Sequence, residues 1–336
     1  MPFEPAVAVI VPVYNGRKTL RLCLTALQQQ THAPDEIIVV DDGSTDGSAE
    51  VAAGFGVVVS SAANAGPAAA RNRGAKLAQA DILLFTDADC APADDWVAQM
   101  VRPLADPEIA GAKGTYATRQ KKLVPRFVQQ EYQDRYDRMA GRAHIDFIDT
   151  YSAAYRRDCF VATGGFDTGF PTASVEDQEF SFRLAAKGYK LVYVPGARVY
   201  HQHDENVWAY ARRKTGIGYW KARVTARYPD KLVQDSHTPQ ILKVQLGLFL
   251  LGSGFLAGGG LAGSGPVAAG GLLVWLVLLL SGWSFYQKIL RRDAAVLAIA
   301  PLMLWVRACA LGTGFCWGNC RLLWDKLITS VQKFLR

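Results

Sequence analysis

The longest uncharged stretch of the sequence runs from Val244 to Gln287, 44 residues without Asp, Glu, Lys or Arg. One helical crossing of a bilayer takes about 20 residues, so this stretch is long enough for a hairpin of two transmembrane helices. The segment GGGLAGSGP (258–266) interrupts it and predicts the turn of the hairpin. We therefore expect the 336 residues to form two units, one of them in a membrane.

Charge and cysteine usage indicate the cytoplasmic side of a cell membrane. The net charge is +7, and basic residues are frequent on both sides of the uncharged stretch, in 212–227 and 288–292. This pattern is typical of a positive cytoplasmic face, and nucleic acid is not expected as a partner because aromatic-basic platforms are absent. The N-terminus has no basic leader, which predicts no cleavable signal peptide. The six cysteines show no zinc or disulfide spacing, so we expect reduced thiols.

Short β-branched runs alternate with helical patterns in the first hundred residues. The runs AVAVIVPVY, EIIVVDD, VVVS and DILLFTDAD are predicted strands. The helices predicted after them cover 18–30, 45–53, 67–79 and 94–104. Apolar strands separated by helices favour an α/β fold, with a doubly wound and mostly parallel sheet. Further helices are predicted at 119–142 and 175–188.

In such a sheet the ligand lies at the carboxyl ends of the strands. The sequence places PVYN (12–15), DDGS (41–44) and TDAD (86–89) at these ends. Residues two apart in an extended segment face the same way, so Asp87 and Asp89 can address one ligand. Hard divalent cations take oxygen ligands, and one or two carboxylates suffice. Acidic strand ends also occur for solubility alone, and this pair by itself does not separate the two interpretations.

Six motifs in a fixed order favour the cation. They are VIVPVYNG, VVDDGSTDGS, NAGPAAARNRG, TDADC, GGFD and EDQEFSFRLAAKG. Together they resemble the family-2 glycosyltransferases with a GT-A fold, over about residues 6 to 225. The resemblance implies a Rossmann-like catalytic domain, a nucleotide-sugar donor and a divalent cation, Mn²⁺ or Mg²⁺. Asp89 would bind the metal, and Asp87 the ribose, the metal or a metal-bound water.

The resemblance also implies a donor site. The residues that would border the nucleotide or its phosphates are Pro12, Tyr14, Asn15, Asp41, Asp42, Asn64, Gly66 and Arg71. Asp41 or Asp42 would accept hydrogen bonds from the base or ribose. The helix that begins after Gly66 and the cation of Arg71 would favour an anion. The alternatives are an Asx-capped turn at DDGSTDGS and a solvated surface arginine at position 71.

Glu176 and Asp177 are the residues expected to carry the chemistry. Displacement at the anomeric carbon needs a carboxylate that deprotonates the acceptor hydroxyl, and such a base contributes about 10²- to 10⁴-fold in rate. The resemblance assigns this role to Asp177 and implies inversion at the sugar carbon. The alternative is that these acidic residues only cap a helix.

Two further features concern the end of the catalytic region. The resemblance implies that His201 binds the metal or the diphosphate; a structural histidine is the alternative, and His203 is a weaker candidate. The segment ARRKTGIGYW (211–220) stands where processive members carry Gln-x-x-Arg-Trp, and it departs from that pattern. Polymer synthesis is therefore not expected. Arg212, Arg213 and Trp220 would close over the diphosphate or contact lipid.

We expect a cytoplasmic GT-A domain over 1–230 and a membrane domain over 231–336. The latter would comprise the hairpin at about 244–287, a third apolar segment at about 294–318 and an amphipathic tail at 321–336. The tail places seven apolar residues on one helical face, namely Leu323, Trp324, Leu327, Ile328, Val331, Phe334 and Leu335. Arg307 is costly at membrane depth and would bind a lipid phosphate or pack near a helix end. A re-entrant third segment would keep the basic tail cytoplasmic.

These observations predict an enzyme of the inner membrane, a metal-dependent inverting glycosyltransferase. Its acceptor would be a lipid, a lipid-linked saccharide or a surface glycan. One alternative is a non-catalytic membrane protein that uses the same fold to bind a partner. Another is a sugar nucleotidyltransferase, whose glycine-rich N-terminal loop is absent here.

Overall fold

The computed structural model describes residues 4–172, 174–233, 235–236 and 238–334. It consists of two compact units. One unit comprises Met1–Arg119 and Tyr136–Gln202, and the other comprises Gln120–Arg135 and His203–Arg336. The division of roles at residue 230 stays a prediction, but the contacts group residues 203–230 with the helices that follow them.

An eight-stranded mixed sheet forms the first unit. In chain order the strands are β1 (Val7–Val13), β2 (Glu36–Asp41), β3 (Val58–Ser61), β4 (Ile82–Phe85), β5 (Cys90–Pro92), β6 (Ile109–Ala117), β7 (Ala153–Arg156) and β8 (Lys190–His201). Their order across the sheet is β3-β2-β1-β4-β7-β6-β8-β5. The first four strands pair in parallel, as the alternation with helices predicts. The second half is mixed, because β7 runs antiparallel to both neighbours and β5 runs antiparallel to β8.

The six helices predicted in this region are confirmed, with small shifts at their ends, and a seventh at Arg157–Ala162 was not predicted. The helices are α1 (Arg17–Gln28), α2 (Ser48–Ala53), α3 (Pro67–Leu77), α4 (Trp96–Val101), α5 (Leu123–Ala140), α6 (Arg157–Ala162) and α7 (Glu176–Ala186), with short 3-10 turns at Arg102–Ala105 and Thr150–Ser152. The boundary between the two units falls within α5. Strands β5, β6 and β7 were not predicted. The glycines and the lysine of IAGAKGTYA in β6 hide its strand character from a hydrophobic pattern.

The buried core of the first unit holds the end of β4 in place. Ile10, Leu83 and Phe85 are fully buried within it. Phe85 packs against the rings of Phe160 and Phe166 at centroid distances of 5.4 and 5.5 Å. The chain turns polar directly after this ring, at Thr86 and the acidic residues that follow. The packing of β4 therefore holds those acidic residues at the edge of the sheet.

Helices alone form the described part of the second unit after residue 203. They are α8 (Val207–Arg227), α9 (Pro229–Val233), α10 (Gln240–Leu261), α11 (Gly265–Leu280), α12 (Trp283–Arg292) and α13 (Ala300–Phe334), with a 3-10 turn at Ala294–Ala298. Glycines bring α8 and α13 into close contact. A Cβ atom on Gly314 or Gly318 would clash with the carbonyl oxygen of Thr215 or Tyr219, so these positions require glycine.

The predicted hairpin is three helices rather than two. The turn between α10 and α11 lies in the expected segment, but α11 and α12 are bent by 42° where Ser281 and Gly282 separate them. By length and composition, α10 is the helix among the described residues that can cross a membrane. Helices α11 and α12 are long and apolar enough to cross a membrane only if the two together form one bent span.

The third apolar segment contains no turn after residue 300, and its path in a membrane stays a prediction. A single unbroken helix, α13, runs from Ala300 to Phe334, and Pro301 lies in its first turn, where a proline interrupts no helical hydrogen bond. The amphipathic tail is the end of this helix. Its exposed apolar residues include Leu323, Trp324 and Leu327. Leu335 and Arg336 of the predicted tail lie outside the described residues.

Candidate active site

Asp87, Asp89 and His201 meet at the carboxyl end of β4. Asp87 and Asp89 follow this strand directly, and β5 begins at Cys90. The antiparallel ladder between β5 and β8 sets Cys90 opposite His201, the last residue of β8. This register brings Nε2 of His201 to 3.2 Å from Oδ2 of Asp89. Residues 112 positions apart in the sequence thus share one site.

The side chains around this point suit a hard divalent cation. Ligand atoms of Asp87, Asp89 and Cys90 all lie within 4.8 Å of one another. Burial raises the pKa of the Cys90 thiol well above its ordinary value, which makes the neutral thiol a poor ligand. Two carboxylates and the imidazole of His201 remain, a donor set that Mn²⁺ or Mg²⁺ accepts. Burial opposes ionisation of Asp89, yet the hydrogen bond from His201 lowers the pKa of this carboxyl overall.

A buried arginine joins the strand end to α7. Arg71 of α3 is 3% exposed, which rules out the solvated surface arginine. Its Nη2 donates to Oδ1 of Asp87 and its Nη1 to Oε1 of Glu176, both at 2.8 Å. The guanidinium also lies over the ring of Phe166, at 5.9 Å from its centroid. Arg71 therefore acts between two carboxylates of the protein, an arrangement that the sequence did not predict.

Glu176 and Asp177 occupy different environments although they are adjacent. Glu176 is 2% exposed, and its Oε2 accepts the backbone N–H of Ser174 at 2.8 Å. Asp177 is half-buried, and its Oδ1 accepts the N–H of Gln178 at 2.7 Å. Burial, the charge of Glu176 and that of Asp149 together raise the pKa of Asp177 well above its ordinary value. A carboxyl with a raised pKa is a better proton acceptor near neutral pH.

The residues predicted to border the nucleotide surround the ends of β1 and β2. Asp42 is buried and accepts the N–H groups of Ala65 and Gly66, each at 2.9 Å. Asp41 accepts the N–H of Ser44 at 3.1 Å. The Asx-capped turn is therefore present, and a role of either carboxylate in donor binding stays a prediction.

Backbone geometry shapes this same edge. Asn15 has a φ of 51°, and its Oδ1 accepts the N–H of Thr45 at 2.9 Å. Gly66 has a φ of 90°, and a Cβ there would lie 2.5 Å from the carbonyl oxygen of Pro171. Both positions thus fix loops at the strand ends. Tyr14 and Asn64 are exposed, and Pro12 is half-buried within β1.

The remaining predicted site residues belong to the second unit. Arg212, Arg213 and Trp220 lie on α8. Arg213 is paired with Asp204 at 2.6 Å, and Arg223 lies over the ring of Trp220 at 5.5 Å. Their role toward the diphosphate or lipid stays a prediction. His203 is 3% exposed and lies 3.0 Å from Oε1 of Gln129, the environment of a structural histidine.

A second charged cluster, which the sequence did not predict, lies inside the helical unit. Glu131 of α5 accepts from Arg307 of α13 at 2.9 Å and lies 3.1 Å from Nζ of Lys214 on α8. Nη2 of Arg307 also donates to Gln245 of α10 at 2.8 Å. Arg307 is only 7% exposed, so of the two predicted roles the structure favours packing within the protein over contact with a lipid phosphate. We refer to Glu131, Lys214, Arg307 and Gln245 as the helical cluster.

Comparisons with known proteins find similarity to glycosyltransferases. Residues 8–163, just under half of the chain, match the family model described as Glycosyl transferase family 2. The pre-mycofactocin glycosyltransferase of Mycobacterium tuberculosis is 27% identical over 240 residues, which are 68% of this chain and 50% of that protein. The putative glycosyltransferase EpsH of Bacillus subtilis is 31% identical over 203 residues, covering 56% of this chain and 58% of that protein. The chain thus spans about half the length of these relatives.

The fold also resembles a solved structure. The mannosyltransferase PcManGT from Pyrobaculum calidifontis, solved in complex with GDP-Man and Mn²⁺, superposes with a TM-score of 0.58. The match covers 97% of this chain and 89% of that chain, at 19% sequence identity. This likeness supports a GT-A-like mixed α/β sheet, as the motifs indicate.

Proposed function

We propose that this protein is a membrane-anchored, metal-dependent, inverting glycosyltransferase that takes a sugar from a nucleotide donor. The observation that carries the proposal is the convergence of Asp87, Asp89 and His201 at one strand end, with Arg71 linking Asp87 to Glu176 beside Asp177. This constellation lies at the carboxyl edge of the parallel strands, where α/β sheets bind their ligands. The match of residues 8–163 to a glycosyltransferase family supports the reaction class.

Asp89, Asp87 and His201 would hold the cation. When bound, a divalent cation stabilises the negative charge that a leaving diphosphate gains. Arg71 is already paired with two carboxylates, so it holds Asp87 in place and offsets part of the negative charge of the site. Beyond the two carboxylates paired with Arg71, Asp89 adds a carboxylate whose pKa is lowered, and this negative charge favours a cation.

Asp177 would act as the base. The acceptor hydroxyl oxygen attacks the anomeric carbon, its proton passes to the carboxylate of Asp177, and the bond from that carbon to the diphosphate oxygen breaks. The bonding electrons leave with the nucleoside diphosphate, and the sugar carbon inverts. Glu176 is fully engaged with Arg71 and Ser174 and therefore orients the start of α7.

The proposed membrane anchor is the helix pair α10 and α11. Only 22% of the most apolar window of α10 is buried, whereas a core helix of a soluble protein is mostly buried. Leu250, Leu251, Leu272 and Leu273 are exposed on the two helices. Apolar faces of this kind fit lipid chains, and basic residues at 288–292 fit anionic headgroups. An acceptor at the membrane, a lipid or a lipid-linked saccharide, follows from this anchor.

A release assay tests the proposal. Detergent-purified protein with native lipid extract is incubated with UDP-, GDP- and dTDP-sugars, in Mn²⁺ or in EDTA, and nucleotide release is followed. We expect release from one donor, dependent on metal and increased by lipid. Release without transfer to any acceptor would reduce the proposal to donor hydrolysis. If the folded protein bound metal but released nucleotide from none of these donors, the result would favour the non-catalytic alternative.

A further inference from the structure

A stack of three rings connects His201 to the interior of the first unit. The ring of His201 lies on Tyr116 of β6, at 4.5 Å between centroids and 26° between planes. Tyr116 in turn stacks on Tyr151, in the 3-10 turn before β7. Both tyrosines are buried, with exposures of 8% and 4%. The imidazole that approaches Asp89 therefore rests on a rigid aromatic support, which we call the ring stack (His201, Tyr116 and Tyr151).

Hydrogen bonds fix the ring stack from its buried end. The hydroxyl of Tyr136 accepts the backbone N–H of Tyr116 and lies 2.7 Å from the hydroxyl of Tyr151. Nζ of Lys113 lies 3.2 Å from the same Tyr151 hydroxyl and is ion-paired with Asp149. Buried polar networks of this kind rigidify their surroundings when their members are satisfied.

Lys113 is unusual in its own right. It is 1% exposed, and its ammonium lies 4.9 Å from the ring centroid of Tyr151 and 5.7 Å from that of Tyr136. Burial of a lysine is costly unless a partner and cation–π contacts compensate it. The steps proposed above for sugar transfer do not use this charge, so its place in the fold calls for another explanation.

Lys113 is also linked, through its ion pair with Asp149, to the environment of Asp177. Its partner Asp149 is one of the charges that raise the pKa of Asp177. Lys113 thus neutralises a carboxylate near the proposed base while its hydrogen bond supports the ring stack under the proposed metal ligand.

We infer that Tyr116 and Tyr151, anchored by Lys113, are positioning residues that hold the His201 imidazole against Asp89 for cation binding. The inference rests on the proposed function. Metal-ligating histidines are oriented by neighbours whose loss costs about 10- to 100-fold in metal affinity. Tyr116 supports His201 through its stacked ring, so the ring should matter most at this position.

Manganese affinity, measured by electron paramagnetic resonance on the purified full chain without donor, tests the inference. We expect Tyr116→Leu to weaken Mn²⁺ binding about 10-fold or more, and Tyr116→Phe, which keeps the ring, to bind as the parent does. In a His201→Ala background, Tyr116→Leu should have no further effect, because the support then has nothing to hold. An equal affinity of Tyr116→Leu and the parent would overturn the inference.

Two controls separate positioning from general damage. Leu191→Ala removes a buried side chain of the same unit near the start of β8, ten residues before His201, and it should lower the unfolding midpoint while leaving Mn²⁺ affinity unchanged. If Tyr116→Leu does not fold, Tyr151→Phe, which keeps its ring but loses its hydroxyl contacts, should show a smaller loss of affinity; no loss there would overturn the inference. A parent that binds no Mn²⁺ would overturn the proposed metal site, and this inference with it.

Discussion

The strand-end site (Asp87, Asp89, Glu176, Asp177, Arg71 and His201) and the helical cluster both contain buried charged side chains. Acidic side chains are in excess at the strand-end site, and basic side chains are in excess in the helical cluster. At the strand ends Arg71 faces the carboxylates of Asp87 and Glu176, with two more acidic residues nearby. In the helical cluster one carboxylate, Glu131, faces two basic side chains. The first arrangement leaves negative charge that a ligand can neutralise, and Asp89 keeps 45% of its side chain exposed. The second is enclosed, and the partners it needs are within the fold. Burial and charge balance, rather than the presence of charge, separate a binding site from a structural ion pair.

The largest effect should come from the strand-end site. Asp177→Asn removes the proposed proton acceptor and keeps its shape, so we expect transfer to fall about 10²- to 10⁴-fold. Mn²⁺ affinity and the unfolding midpoint should stay near those of the parent. Glu179→Gln is the matched control, because it changes a carboxylate of the same helix that is paired with Arg183 and is not the proposed base. Its transfer rate should stay near that of the parent. Transfer rates of Asp177→Asn within tenfold of the parent would remove Asp177 as the base.

The helical cluster should respond in stability instead. Glu131→Gln leaves Lys214 and Arg307 without their buried carboxylate, and breaking a buried pair in this way costs about 3–5 kcal/mol. We expect a lower unfolding midpoint in detergent with unchanged Mn²⁺ affinity. Adding Lys214→Met should restore part of the loss, since it removes a buried amine that has lost its carboxylate partner. If Glu131→Gln alone were as stable as the parent, the helical cluster would not contribute to the stability of the fold.

Sequence patterns revealed the first of these regions and not the second, for a physical reason. Strand ends and Asp87-x-Asp89 are local features, so periodicity and turn chemistry predict the parallel half of the sheet and its polar edge. The partners of Glu131 are assembled by tertiary packing, and Arg307 lies 176 residues away from it. Arg71 and Glu176, 105 residues apart, are paired in the same way. The sequence left Arg71 between an anionic ligand and solvent, and Arg307 between a lipid phosphate and packing near a helix end. It could not show the carboxylates with which both are paired.

The short strands were missed for a related reason. β5 has three residues and β7 has four, too few for an alternating pattern to be recognised. Yet β5 sets His201 opposite Cys90. The part of the site that depends on these strands was therefore supplied by the family resemblance and not by the local pattern.

The pH dependence of stability should show an effect of intermediate size, which arises in the helical cluster. Burial, opposed by Glu131 and reinforced by neighbouring arginines, lowers the pKa of Lys214 to about 7 from a model-compound value of 10.5. Between these values the unfolded chain binds more protons than the folded one, so stability rises with pH. We expect a gain of about 1 kcal/mol per pH unit above neutrality. Burial also lowers the pKa of Lys221, to about 8, so the comparison is made between pH 7 and 8. Lys214→Met should reduce the rise of the unfolding midpoint in this range, and an unchanged rise in the variant would contradict the assignment.

The smallest effect should come from an ion pair that differs from the helical cluster mainly in its exposure. Lys190 and Glu108 approach to 2.8 Å, a distance like those inside the cluster, but their side chains are 39% and 67% exposed. Water and salt screen such a pair, so Glu108→Gln should change the free energy of unfolding by about 0–1 kcal/mol, and by less at high salt. Denaturation of this variant beside Glu131→Gln compares one lost carboxylate in each setting. If Glu108→Gln were as damaging as Glu131→Gln, burial would not be what gives the helical cluster its strength, and the distinction between the two kinds of charged site would have to rest on charge balance alone.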